Sequence, residues 1–197
     1  CNFPEPGKKK YYSSIYAAKG TGNEETLQWE MIGNLPEPAA YGGVVASGDS
    51  LILVGGCNTE HSLRTVLSIH LDQENGKPIL KSLPDLPCTV DNMGVCLLDT
   101  RLFVVGGNQD GRPSASVLTM EIGKDEKWTP ETELIGEPRV QPVCAAYNGE
   151  LFVWGGFYEN GKSSIVATSG LRYQLMSKSW TSLPAPVNLQ GKELTLT

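Results

Sequence analysis

LILVGG (51–56), LFVVGG (102–107) and LFVWGG (151–156) are one pattern written three times. In each copy a short apolar run climbs into a double glycine, and the second glycine falls at 56, 107 and 156. A period near fifty with strand–Gly–Gly punctuation predicts an all-β fold, the kelch-type β-propeller, with one four-stranded blade per repeat. The near-continuous hydrophobicity of these runs predicts strands buried on both faces.

The rest of each blade follows from that anchor. A first, innermost strand is small and apolar: YGGVVA (41–46), MGVCLL (93–98) and VCAAY (143–147). Polar turns join it to the glycine-ending strand: SGDS (47–50), DTR (99–101) and NG (148–149). Asn-Gly tolerates positive φ at both positions and is a strong hairpin signal. Third strands are expected at TVLSIH (65–70), SVLTME (116–121) and residues 165–173. Fourth strands open at Trp29, Trp128 and Trp180, with Lys81 in that place in the second copy. The recurring tryptophans are expected to be packing residues. Proline turns close each blade at LPEP (35–38), LPDLP (83–87), GEP (136–138) and LPAP (183–186), because proline ends a ladder.

The repeats divide the chain into one partial propeller domain. Residues 1–38 supply the outer part of a first blade, with its two strands from Tyr11 to about Ile32. Residues 39–87, 88–138 and 139–186 are three complete blades, and 187–197 begin another. Propellers close with about 4–8 blades, so this is an arc. The remaining blades, or a second chain, are expected to complete the ring. Cys1-Asn2 repeats Cys57-Asn58, which favours an opening in mid-blade over a lipid-modified N-terminus.

Composition narrows the partners. The 40% apolar and 19% charged residues belong to a globular chain. A net charge of −6 without a basic stripe argues against nucleic acid. The one basic run, Lys8-Lys9-Lys10, is expected to be a solvated loop. No segment approaches the roughly 18 apolar residues of a membrane helix, and the N-terminus lacks a signal-peptide pattern. Five cysteines occur with no CxxC spacing, so neither a structural zinc nor a cofactor is implied. Cys96 and Cys144 are expected at the same strand position of successive blades, as buried free thiols.

Several loop motifs are more specific than the kelch punctuation. NFP (2–4), LPEPAAY (35–41), LPDLPCTVDN (83–92), GGNQDGRPS (106–114), PRVQPVCA (138–145) and LFVWGGF (151–157) resemble the cyclically permuted mutarotase family. These are kelch propellers similar to the N-acetylneuraminate epimerases. The resemblance spans nearly the whole chain. It implies a six-bladed ring of about twice this length, of which the chain is the N-terminal half. The implied activity is an isomerase's: interconversion of the anomers of sialic acid (N-acetylneuraminate) or a related sugar in bacterial carbohydrate metabolism. A periplasmic or otherwise extracytoplasmic location is implied with it.

The family's catalytic pair is a glutamate after Asn-Gly and an arginine six residues on, in a late blade. GGCNTEHSLRT (55–65) echoes it through Arg64, but Cys57 stands where the glutamate belongs. Glu60 and Arg64 are the weak catalytic candidates here. The acid/base pair is expected outside the chain, which alone is then inactive.

Substrate-binding candidates are the residues at strand entries and beyond the double glycines, on the face where propeller loops gather around the axis. Arg139 is the expected carboxylate clamp, with Gln141 beside it, or else it bridges neighbouring blades. Asp91 and Asn92 hold the equivalent entry one blade earlier, or form an Asx turn. Tyr41 offers a face for a sugar ring, or packs. Asn58 and Asn108 follow double glycines and bond hydroxyls or cap the loop. Trp154 and Phe157 flank Gly156 and are placed near the axis. Glu60 and His61 are the acid and histidine closest together in a candidate loop.

An alternative reading is a kelch interaction module without catalysis, and fold alone does not separate the two. A propeller copper oxidase needs more His ligands than His61 and His70. A nucleophilic hydrolase lacks a Gly-x-Ser-x-Gly elbow.

Overall fold

In the computed structural model, which describes residues 1–19, 27–125, 127–161 and 163–194, every repeat becomes an antiparallel sheet. An N-terminal hairpin pairs β1 (Asn2–Glu5) with β2 (Lys8–Lys10), and β3 (Ser14–Lys19) pairs with β4 (Gln28–Asn34). The first four-stranded sheet holds β5 (Gly43–Ser47), β6 (Ser50–Val54), β7 (Val66–Leu71) and β8 (Pro78–Leu83) in sequence order. The second opens with a short entry strand, β9 (Val90–Asp91), then β10 (Gly94–Leu98) and β11 (Arg101–Val105). A small hairpin, β12 (Asn108–Gln109) and β13 (Arg112–Pro113), precedes β14 (Val117–Glu121) and β15 (Thr129–Glu131). The third holds β16 (Val143–Tyr147) and β17 (Glu150–Trp154), a hairpin of β18 (Phe157–Asn160) and β19 (Ser163–Val166), then β20 (Gly170–Gln174) and β21 (Ser179–Leu183). This is the arc of a kelch-type propeller, and its innermost strands β5, β10 and β16 sit side by side.

The turns behave as their sequences require. Gly48, Asp99, Asn148 and Gly149 all take positive φ, which gives tight links between inner and second strands. One expected strand divides. Residues 163–166 pair with β18 in a hairpin over the blade, and the third strand proper begins at Gly170. The blade expected to begin at 187–197 falls partly on residues 195–197, outside the described residues; Val187 and Glu193 form one bridge. The turn between β3 and β4 also lies outside them.

The core sits in the seams between blades. One cluster gathers Ile52, Val54, Val66 and Val90 with Leu102, Val104, Met120 and Trp128. The other gathers Phe103, Val105 and Val117 with Leu151, Val153, Tyr173 and Trp180. Tyr173 and Trp180 pack at 4.9 Å between ring centroids. Each buried tryptophan also reaches back one blade: Trp128 Nε1 donates to the Pro84 carbonyl at 2.8 Å and Trp180 Nε1 to the Thr132 carbonyl at 2.9 Å. Trp29 departs from the expected packing role. It is 66% exposed, because among the described residues no sheet lies on the side toward which the other two point.

Steric pairs fix the seams. A Cβ at Gly43 would meet Val95 Cγ2 at 2.0 Å, and one at Gly94 would meet Cys144 Sγ at 2.3 Å. Gly94, Cys96 and Leu98 project toward the third sheet and are buried there, whereas their counterparts on β16 are uncovered, with Val143 65% and Tyr147 75% exposed. Val44 and Leu51 are uncovered on the opposite flank.

The cysteine register needs correction. Cys96 pairs with Phe103, and Cys144 with Val153. Phe103 corresponds to Phe152, so Cys96 is equivalent to Ala145 and Cys144 to Val95. A shift of one residue in a strand reverses the face. The two thiols therefore approach the same seam from opposite blades. Burial pushes Cys96 up to about 12 and raises Cys144 well above the ordinary thiol value.

Two outcomes follow from the packing. Phe103→Ala should lower the unfolding free energy by about 3–5 kcal/mol in urea titrations, since the ring is fully buried in a seam. The folded state holds the Cys96 proton more tightly than the unfolded state does. Its contribution is therefore complete below the ordinary thiol value of 9.0 and is lost as pH climbs toward about 12. Denaturation midpoints measured from pH 8 to 11 should fall over that range, and the fall should be shallower in Cys96→Ala.

Candidate functional site

Tyr41, Asn92 and Gln141 stand two residues before β5, β10 and β16. All three adopt left-handed backbones, with φ of 57°, 53° and 58°. That conformation costs a non-glycine residue about 1–3 kcal/mol, so its recurrence at one position in three blades marks a constrained place. The Asn92 amide donates to the Tyr41 carbonyl at 2.8 Å, and the Gln141 amide to the Asn92 carbonyl at 2.7 Å. The three entries are thus stitched into a rim where the inner strands begin.

The side chains continue the rim. Gln141 Nε2 donates to Asn92 Oδ1 at 2.8 Å, and Asn92 Nδ2 to Asp91 Oδ1 at 2.6 Å. Asn108 Nδ2 reaches the same oxygen at 3.0 Å, and Ser62 Oγ donates to Asp91 Oδ2 at 2.5 Å. Asp91 is 6% exposed and is the hub of the network. Its position follows from strand pairing, since β9 pairs with β12 and Asn108 lies opposite Asp91. The rim therefore offers phenol, amide and hydroxyl groups in a fixed order. Such a set suits a polyhydroxyl ligand.

The remaining candidates lie elsewhere. Arg139 is 4% exposed and turns into its own blade. Its Nη1 donates to the carbonyls of Ser169 at 2.9 Å and Gly155 at 3.2 Å, and Nη2 to Ser169 Oγ at 3.2 Å. Burial lowers its pKa. The guanidinium ties the blade entry to the loop before β20 and does not present a clamp at the rim. Asn58 Oδ1 accepts from the Glu60 and His61 amides at 2.8 and 3.0 Å, and its Nδ2 donates to Glu37 Oε2 at 3.1 Å. It therefore caps its loop. Glu60 is exposed on that loop, while Arg64 pairs with Asp85 at 3.3 Å. His61 approaches Glu37 at 3.6 Å. Trp154 stacks on Phe152 at 5.9 Å, and its ring covers Gly170, on the blade face it shares with Val143. Phe157 exchanges backbone hydrogen bonds with Val140, both at 2.8 Å.

Ser62 and Lys9 belong to the constellation without having stood out in the sequence. The run Lys8-Lys9-Lys10 is a strand rather than a loop, and its alternation turns only Lys9 inward. Among the described residues no three His, Cys, Asp or Glu side chains gather to hold a metal ion. No helix of the described residues is long and apolar enough to cross a membrane.

No family model matches the chain. Over 102 residues, 51% of the chain, it is 28% identical to the N-acetylneuraminate epimerase of Pasteurella multocida (strain Pm70), of which the match covers 26%. Over 117 residues, 56% of the chain, it is 30% identical to the N-acetylneuraminate epimerase of Haemophilus influenzae (strain PittEE), covering 30% of that protein. The chain therefore spans less than a third of these relatives. A longer match, 79% of the chain at 25% identity, reaches Beta-scruin of Limulus polyphemus and covers 18% of it. Among solved structures, "Structure of YjhT" superposes with a TM-score of 0.62 at 21% identity, over 79% of this chain and 48% of that one. This likeness shows the fold.

Asp91→Ala should lower stability by about 3 kcal/mol, because three donors lose a buried charged acceptor. Equilibrium unfolding checks this, and a loss below about 0.5 kcal/mol would show that the network does not depend on its hub.

Proposed function

We propose that this arc belongs to a sugar mutarotase or epimerase of the cyclically permuted kind, acting on N-acetylneuraminate or a related sugar acid. The observation that carries the reading is the 28–30% identity to N-acetylneuraminate epimerases over 102 and 117 residues. The amide-and-hydroxyl rim supports it chemically, since a pyranose presents alternating donors and acceptors to such a surface.

The reaction asks little of a protein. The anomeric hydroxyl gives up its proton, the ring oxygen gains one, and the bond between the anomeric carbon and the ring oxygen breaks. The open keto form rotates and closes on its other face, returning both protons. One or two acid/base groups suffice. Glu60 and Arg64 are not paired with each other, so the acid and base are proposed to come from blades outside residues 1–197. The rim of Tyr41, Asn92 and Gln141 would hold the sugar against them. Further blades, in cis or from a second chain, would cover the flanks at Val143 and Tyr147 and at Val44 and Leu51. The location would be periplasmic or otherwise extracytoplasmic, as the resemblance implies.

A second reading, a kelch module that binds a protein partner, stands beside it, because the match that reaches across 79% of the chain is to Beta-scruin, whose name is not that of an epimerase. Proton NMR of freshly dissolved N-acetylneuraminate separates the two. The full-length protein carrying this propeller should bring the anomers to equilibrium at least about a hundredfold faster than buffer alone, the lower end of general acid–base catalysis. Equilibration at the buffer rate would remove the enzymatic reading for that sugar.

A further inference from the structure

Lys9 is set apart from its neighbours. Lys8 points outward to Glu5 at 2.6 Å, and Lys10 lies 5.2 Å from the Tyr12 ring. Lys9 turns toward the rim. Its Nζ stands 3.8 Å from the ring centroid of Tyr41, 5.1 Å from that of Tyr11 and 5.8 Å from that of Phe3. It also donates a hydrogen bond to the Tyr41 hydroxyl. The hydrogen bond with Tyr41, then contacts with Tyr11, raise its pKa, so the ammonium is charged across the physiological range.

The aromatic faces hold a cation through their quadrupoles without neutralising its charge. Among the described residues Lys9 joins no ion pair, whereas Lys8, Arg64, Lys124, Arg172 and Lys178 each have a carboxylate. The nearby Asp91 carboxylate is occupied by Ser62, Asn92 and Asn108. Arg139 is bound to internal carbonyls. The rim thus carries a positioned ammonium with an uncancelled charge, attached to the tyrosine from which the backbone ladder of entries begins.

We propose that Lys9, boxed by Tyr41, Tyr11 and Phe3, is an anion-binding group of the rim and takes the carboxylate of the ligand. The assignment rests on the sugar-acid reading above and gives the carboxylate a different partner from Arg139. The aromatic walls would hold the ammonium in place for a charge-assisted bond to the carboxylate. The neutral rim amides would then meet the hydroxyl groups of the same ligand.

Isothermal titration of the full-length protein with N-acetylneuraminate and with its neutral methyl ester tests this. The wild type should bind the acid about tenfold or more tightly than the ester, as a charge-assisted hydrogen bond implies. In Lys9→Met that ratio should fall to about one, while Lys9→Arg retains most of it; thermal unfolding of both variants verifies that each is folded. An unchanged ratio in Lys9→Met overturns the assignment and leaves the sugar reading standing. A wild-type ratio near one, or no binding of either ligand, also overturns it, and the anomer-exchange measurement then judges the sugar reading separately.

Discussion

The architecture depends on two carbonyl oxygens brought against one Gly-Gly pair. The Gly56 amide donates to Val90 of the following blade at 2.8 Å, and the Gly107 amide to Arg139 at 2.8 Å. A Cβ at Gly55 would stand 2.4 Å from the Val90 oxygen, and one at Gly106 would stand 2.4 Å from the Arg139 oxygen. A Cβ at the second glycine would strike the entry of its own blade instead: Ala40 O lies 2.7 Å from that of Gly56 and Asp91 O 2.6 Å from that of Gly107. Both glycines also hold positive φ. The pair is therefore needed twice over, for backbone conformation and for approach from two sides. Blade spacing and the alignment of the rim both follow from it.

This explains what was legible in the sequence. The strand–Gly–Gly motif recurs three times at nearly equal spacing and its glycines hold positive φ, so repetition alone makes the fold, the blade order and the entries at Tyr41, Asn92 and Gln141 readable. Asn148-Gly149 announced its hairpin for the same local reason. What stayed hidden depended on partners distant in the chain. Arg139 has the chemistry of a clamp, but Ser169, thirty residues on, decides that it faces inward. Lys9 looked like one third of a solvated run, and only pairing with β1 (Asn2–Glu5) reveals the alternation that singles it out. Cys96 and Cys144 look alike in the aligned repeats yet stand one residue apart in register, because strand pairing, not sequence similarity, sets the face.

The rim joins fold to chemistry. Three strained entries exchange backbone hydrogen bonds, and Asp91 gathers donors from Ser62, Asn92 and Asn108 behind them. These contacts fix the Asn92 amide, which in turn accepts from Gln141. A surface ordered this way can present hydrogen-bonding groups with little loss of side-chain freedom when a ligand arrives. Among the described residues the constellation brings no acid and base face to face.

The glycine-to-side-chain pairs in the seams have a consequence of their own. Gly43 admits Val95, and Gly94 admits Cys144, but the same position on the next inner strand is Val143. A sheet covering Val143 must leave a hollow where Val95 and Cys144 present bulk. The repeats are therefore not interchangeable tiles: each junction has its own lock and key, and the order of the blades around the circle is written into the volumes that meet there.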